Sequence, residues 1–220
     1  MGVDIDVLRM VERAPLRTIR PQDLEERFTH PRRTINRLVK IGALLRLARG
    51  VYTAPPDGKD SRTWRPSLEA AGIAVATARF GNRNAILMGL GAARHWMAIP
   101  RAIGVTTVAV PVAGRPPVRL DYRGEVHLIP RTLDRLDATL ERTELGQALV
   151  TTPAQTMYDL IMRPAQGGMR GEAADAVRHL RSRVTSVELL GIVQEHGRAN
   201  ATVRSVLDQL AEESRASAEG

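Results

Sequence analysis

Between Arg27 and Pro56 the sequence sets seven cations, Arg27, Arg32, Arg33, Arg37, Lys40, Arg46 and Arg49, and not one acid. Such a run suits one kind of chemistry, the binding of phosphate oxygens, by arginine through its planar fork of donors and by lysine as a point charge. The spacing makes two groups. Arg32, Arg33, Thr34, Asn36, Arg37 and Lys40 fall within nine residues and combine phosphate binders with side chains that can hydrogen-bond to base edges. Arg46 and Arg49 lie in the next stretch, RLARGVYTAPP, on either side of a break in a β-forming pattern.

The surrounding elements decide whether these groups face one partner. DIDVLRMVERA puts Ile5, Leu8, Val11 and Met10 at helical spacing and predicts a first helix. RPQDLEERF has Pro21 at a first helical position and acids in the first turn, predicting a second, short helix. HPRRTINRLVKIGAL opens with Pro31 and closes on Gly42; it buries Ile35, Leu38 and Val39 and presents Arg33, Thr34, Asn36, Arg37 and Lys40 on the other face. Helix, short helix, basic helix is the order of a helix-turn-helix. ALLRLARGVYTA then alternates as a strand, breaks at Ala48-Arg49-Gly50 and resumes with Val51, Tyr52 and Thr53. A hairpin directly after a recognition-type helix is a wing, whose tip lies beside the DNA backbone, a place that suits Arg46 and Arg49. Any small domain carries solvated arginines, but here the acid-free stretch coincides with both the helix face and the hairpin, which favours DNA contact.

Charge is distributed in the same sense. The 220 residues carry a net charge of +8, and residues 1–65 hold fourteen Lys/Arg against eight Asp/Glu, whereas the rest holds eighteen against sixteen. Cysteine is absent, which removes disulfides, thiolate nucleophiles and cysteine metal sites. No apolar run reaches the ~18 residues of a membrane span, and acids stand where a signal peptide would carry cations, so no membrane association and a cytoplasmic location are expected. Enzyme motifs are missing: there is no Gly-Xaa-Ser-Xaa-Gly elbow, no phosphate-binding loop ending in Gly-Lys-Ser/Thr and no His-Glu-Xaa-Xaa-His. His30, His95, His127, His179 and His196 are scattered without metal-ligand spacing. MGLGAAR has Arg94 where a dinucleotide fingerprint wants a third glycine, and no strand is predicted ahead of it, so it reads as tight helix packing. A nuclease body needs carboxylates clustered beside a lysine, and the two lysines, Lys40 and Lys59, both precede the body. No catalytic residue, metal or cofactor is therefore expected.

APPDGKDSRTWRP, rich in Pro, Gly, Asp and Ser, reads as a linker. The expected organisation is a winged helix-turn-helix DNA-binding domain over 1–56, a linker over 57–66 that few contacts cross, and an α+β body over 67–220 able to fold alone, with a helical C-terminal third. In the body, SLEAAGIAVATARF and NAILMGLGAARHWMA predict small-residue helices; GVTTVAVPV predicts a strand, PVRLDYRG with EVHLIPR a hairpin, and ATLERTE with QALVTT two more strands. Residues 70–120 contain Arg79, Arg83, Arg94, Arg101, Arg115 and Arg119 and no acid. They read either as a solvated face partnered by carboxylates of the C-terminal helices or as a surface for an acidic partner or further DNA backbone.

INRLVKIGALLRLARGVYTAPP resembles the winged N-terminal segment of the AbiEi family of antitoxins: a recognition helix, a Gly-Xaa-Leu step and an Arg-Gly-Val-Tyr wing. ILMGLGAARHWMAIP, VTTVAVP and LVTTPAQTMYDLI are similar to later parts of the same family in the same order, so the resemblance spans about residues 5–210. It implies a bacterial toxin–antitoxin operon in which the protein binds double-stranded DNA at its own promoter, represses it, and opposes a nucleotidyltransferase-like toxin. Homodimerisation on DNA is left open. The alternative is a stand-alone winged-helix regulator whose body senses a ligand or dimerises.

Overall fold

A computed structural model describes residues 2–218. Helix α1 (Gly2–Arg13) buries Val7 and Val11 one turn apart, with Leu8 and Met10 partly covered. Ile5, expected on that stripe, is 47% exposed, because it sits two residues, roughly 200° of helix, from Val7. After a 3-10 turn (Pro15–Arg17) comes the short strand β1 (Thr18–Ile19). The predicted second helix is a 3-10 turn, Pro21–Leu24, tied at its start by the Arg20 amide donating to Asp23 Oδ2 at 2.7 Å. Helix α2 (Pro31–Lys40) is the basic helix, and β2 (Leu45–Ala48) with β3 (Val51–Thr53) forms the wing. β1 pairs antiparallel with the free edge of β3, giving the order β1-β3-β2. At the wing tip Gly50 has φ +73°, a conformation that side chains with a Cβ resist. Val7, Val11, Ile19, Leu24, Ile35, Leu38, Leu44 and Tyr52 make the core of this winged helix.

The wing is covered on both sides, and this changes the expected linker. All three residues of β3 are buried, the pattern of a strand packed on two faces. Tyr52 turns to the core just described, while Leu45, Leu47, Ala48 and Val51, with Leu16, join an apolar cluster built mainly by the following domain. Polar contacts cross as well: the Asp121 amide donates to the Leu47 carbonyl at 2.9 Å and the Tyr122 hydroxyl to the Pro66 carbonyl at 3.2 Å. The segment after the wing is strapped down, with the Arg17 guanidinium donating to the carbonyls of Ala54 (3.3 Å) and Pro55 (2.9 Å), and Ser61 Oγ donating to the Leu44 carbonyl at 2.9 Å. The expectation that few contacts cross this region is thus corrected: Pro, Gly and Asp mark turns here, and the turns are held.

The body begins with α3 (Leu68–Phe80), whose Ser67 cap accepts from the Ala70 amide at 3.3 Å. Then follow β4 (Ile86–Met88), α4 (Gly89–His95), β5 (Val105–Val110), β6 (Val118–Arg119), β7 (Glu125–Pro130), β8 (Ala138–Thr143) and β9 (Gly146–Thr151). The sheet runs β6-β7-β5-β4-β9-β8; β5 and β7 are parallel, β4 and β9 are parallel, and the other pairs are antiparallel. Alternation sorts its side chains. Leu87, Val108, Val110, Val126 and Leu128 face the cluster containing α3, while Ile86, Met88 and Ala109 face Leu136 on the other side.

The stretch predicted as one helix over NAILMGLGAARHWMA is therefore a strand running straight into a helix. The tight-packing reading of its glycines stands on other grounds. A Cβ on Gly91 would lie 2.5 Å from Thr106 Oγ1 and 2.8 Å from the Thr107 carbonyl, so the helix start is pressed against β5. The chain ends in α5 (Pro153–Met162), α6 (Arg170–Leu180), α7 (Ser186–His196) and α8 (Ala201–Ala218), which close a second body core around Met157, Leu160, Leu180, Leu189 and Val203. The architecture is α+β: a winged helix followed by a larger α+β domain with a helical C-terminal third.

Candidate nucleic-acid interface

Helix α2 separates its side chains cleanly. Pro31, Thr34, Ile35 and Leu38, spaced three or four apart, form the buried stripe, and Arg32, Arg33, Asn36, Arg37 and Lys40 form the exposed one. Thr34 is the misplaced member of the predicted set: it faces the winged-helix core at 8% exposure, because i+3 from Pro31 and i−4 from Leu38 is a core position. Among the described residues Arg32, Arg33, Asn36 and Lys40 make no side-chain hydrogen bond or ion pair, so their donors are free for an incoming partner. Arg37 differs, since its Nη2 donates to Asp4 of α1.

The wing arginines part company too. Arg49, at the tip, is exposed and unpartnered among the described residues, while Ala48 and Val51 beneath it are buried. Arg46 Nε donates to Asp121 of the body loop, and that hydrogen bond and charge raise the guanidinium pKa further above its ordinary value. Arg46 thus sits at a junction rather than at the tip. Beside it a cleft of about 390 Å³ opens between α2, the wing and the body, lined by Asn36, Arg46, Arg62, Arg65 and Tyr122 among others. Arg62 is turned onto Asp60, donating from Nε at 2.8 Å, and so holds that carboxyl below its ordinary range.

The six body arginines do not form one face. Arg94 is largely buried, 3.5 Å from Glu69 of α3 and bonded to the Ile99 carbonyl; Arg101 donates to Glu172 of α6; Arg119 lies 3.3 Å from Glu125 on the neighbouring strand. These three are held within the fold, and one of them, Arg101, by a C-terminal helix. Arg83 and Arg115 are exposed. Arg79 is half-buried near Arg115 and Arg20, and burial followed by those two like charges lowers its pKa. Sequence reasoning could not find Asp4 or Asp121, because they stand 33 and 75 positions from their arginines and no local pattern marks them.

No helix among the described residues is long and apolar enough to cross a membrane. Comparison with curated proteins finds no match. A crystal structure of the RV2827C protein from Mycobacterium tuberculosis is similar at 22% identity and a TM-score of 0.58, over 92% of this chain and 75% of that one, a likeness of fold. A crystal structure of an antigenic nucleotidyltransferase-like protein from Paracoccidioides brasiliensis gives 13% identity and a TM-score of 0.36 over 56% of this chain and 84% of that one, below the level of a shared fold. The family described as "Transcriptional regulator, AbiEi antitoxin" matches residues 7–55, from α1 to the end of the wing. The winged helix, the cations of α2 and the Arg49-Gly50 tip all lie inside that span, so residues 7–55 are the part of the chain that is similar to the AbiEi antitoxin family of transcriptional regulators.

Proposed function

We propose that this protein is a non-enzymatic antitoxin that binds its own promoter through the winged helix, represses it, and opposes a nucleotidyltransferase-like toxin. The observation that carries the DNA half is the exposed row Arg32, Arg33, Asn36 and Lys40 on α2, without side-chain partners among the described residues and continued by Arg49 at the wing tip. Cations left unpaired on one helix face are what phosphate oxygens and base edges require. Arg37 joins this row by exchanging Asp4 for DNA, a cheap exchange because an exposed pair is worth only ~0–1 kcal/mol. Arg46 holds the wing to the body. Thr34 supports the helix from below. The toxin half rests on the family match and on the resemblance of the body segments; of the six arginines between residues 70 and 120, Arg79, Arg83 and Arg115 are the ones left for an acidic partner. Residues 1–56 would carry DNA binding and 67–220 toxin opposition, with 57–66 as the strap between them.

The test is titration of the full chain against a duplex from its own promoter and against a scrambled duplex, over a range of salt. Promoter preference is expected, with log affinity falling linearly as log salt rises, since each phosphate contact releases counterions. Equal affinity for both duplexes would remove the repressor reading. Co-expression with a nucleotidyltransferase-like toxin encoded beside it should restore growth, and failure of the soluble full chain to do so would remove the antitoxin half.

A further inference from the structure

The body holds a second polar cavity, of about 340 Å³, on the side away from the wing's contacts. Its wall is assembled from three places distant in sequence: Arg131 and Arg135 after β7, Tyr158 and Asp159 on α5 with Arg163 just after it, and His196 at the end of α7 with Arg198 just beyond. Four guanidiniums around so small a space are an unusual charge density, and their internal partners are few. Arg135 is committed, donating from Nε to Glu195 at 3.1 Å. Arg131 gives its Nη groups to the Pro130 carbonyl (2.9 Å) and Gln166 (3.2 Å), and its buried Nε has no hydrogen-bond partner among the described residues. Arg163 reaches only Asp159, at 3.9 Å, and the Arg198 side chain makes no hydrogen bond or ion pair among the described residues.

At the floor lies Asp159, 2% exposed, with Oδ2 accepting no hydrogen bond among the described residues. A buried carboxyl beside arginines normally closes a bidentate pair with one of them; here none does. One wall is flat: the Tyr158 and His196 rings stack at 4.9 Å with their planes 6° apart, fixed by the Tyr158 hydroxyl donating to the Arg198 carbonyl at 2.9 Å and by His196 Nε2 at 3.1 Å from Gln155. Tyr158, His196 and Arg135 are thus held in place by the fold, while Arg131 Nε and Asp159 Oδ2 find no hydrogen-bond partner among the described residues.

The geometry points to a binding site for a small phosphate monoester, with Arg131, Arg163 and Arg198 holding the phosphate and Asp159 selecting for a hydroxyl on the esterified group. Three guanidiniums suit a dianion carried on three equivalent oxygens. A lone carboxylate at the floor repels a bare anion and accepts from a donor, so it favours an ester bearing hydroxyls over inorganic phosphate. The cavity lies at the lower end of the range that encloses small ligands, which fits a sugar phosphate better than a polymer. None of these residues belongs to the DNA-facing set, so this site stands or falls apart from promoter binding.

Calorimetric titration of the full chain with ribose 5-phosphate, inorganic phosphate and ribose tests it. Ribose 5-phosphate is expected to bind, inorganic phosphate more weakly, and ribose not at all. Arg163→Gln and Arg198→Gln, both at exposed positions, should each weaken ribose 5-phosphate about tenfold or more, the fold-change of losing a charge-assisted hydrogen bond, with an unchanged melting temperature showing that the fold is intact. Asp159→Asn should narrow the preference for the ester over inorganic phosphate. The proposal is overturned by absence of binding to the wild-type chain, by equal affinity for the ester and inorganic phosphate, by indifference to both arginine variants, or by an ester preference that survives Asp159→Asn.

Discussion

Arg33 and Thr34 are neighbours in sequence and opposites in role. One faces solvent, with no side-chain partner among the described residues, and the other faces the core. Arg33→Ala is therefore expected to leave the melting temperature unchanged and to cost about 1–3 kcal/mol in promoter affinity if the side chain reads a base edge. Equal loss on a scrambled duplex would assign it to phosphate alone. Thr34→Ala should do the reverse, lowering thermal stability while a folded sample keeps its affinity. Asp159 gives a pH signature. Burial pushes its carboxyl up to about 6, against the opposing pull of Arg131, Gln155 and Arg163. The unfolded chain, where Asp titrates near ~3.9, gives up that proton first as pH rises. Stability contributed at this site is thus highest below ~4, falls between ~4 and 6, and stays low above that. Asp159→Asn should raise stability near neutral pH by up to ~3 kcal/mol and change little near pH ~4. Urea unfolding at the two pH values measures the difference; an equal effect at both would contradict it.

The wing is the element in which backbone and function separate most clearly. Gly50 has φ +73°, and a Cβ built there would meet nothing within 4 Å. The cost of Gly50→Val is then backbone strain alone, more than about 1 kcal/mol, seen as a lower melting temperature. Arg49→Ala, one residue away, should leave melting intact and weaken DNA binding; a stability loss with unchanged affinity would deny the wing its place on DNA. Element types were largely legible: α1, α2, the wing hairpin, the β6–β7 hairpin and the strands β8 and β9 all follow from periodicity and turn residues. β4 was not. Its three residues, Ile86–Met88, run into α4 with no turn between them, and so short an apolar run carries neither period.

At the scale of the molecule, winged helix and body share a core. Leu16, Leu45, Leu47, Ala48 and Val51 pack in one cluster with Ala70, Ile73, Ala74, Leu120 and Leu145. A fragment starting at Ser67 would leave that face of α3 and the sheet in water, so it is expected to melt well below the full chain and to bind a hydrophobic dye, contrary to the independence its composition suggests. A fragment as stable as the full chain would show that the shared cluster contributes little. Asp121→Asn weakens the same junction more gently, by removing the charge that holds Arg46.

The sequence by itself determined the α+β class, the winged helix and the acid-free basic stretch, because each is written locally: in helical spacing, in Pro31 and Gly42 at the ends of α2, in Gly50 at a turn, and in charges whose neighbours lie within one element. Tertiary structure decided what those local patterns cannot encode. It set which arginines remain free, since the acids that claim Arg37, Arg46 and Arg101 come from other elements. It turned a Pro- and Gly-rich stretch into a strap, because bonds to Leu44 and Arg17 hold it. It also gathered Arg131, Asp159, Arg163 and Arg198 around one cavity. Composition reports how much charge a chain carries; only packing brings distant groups within the few ångströms at which charges pair, exclude water or stay free.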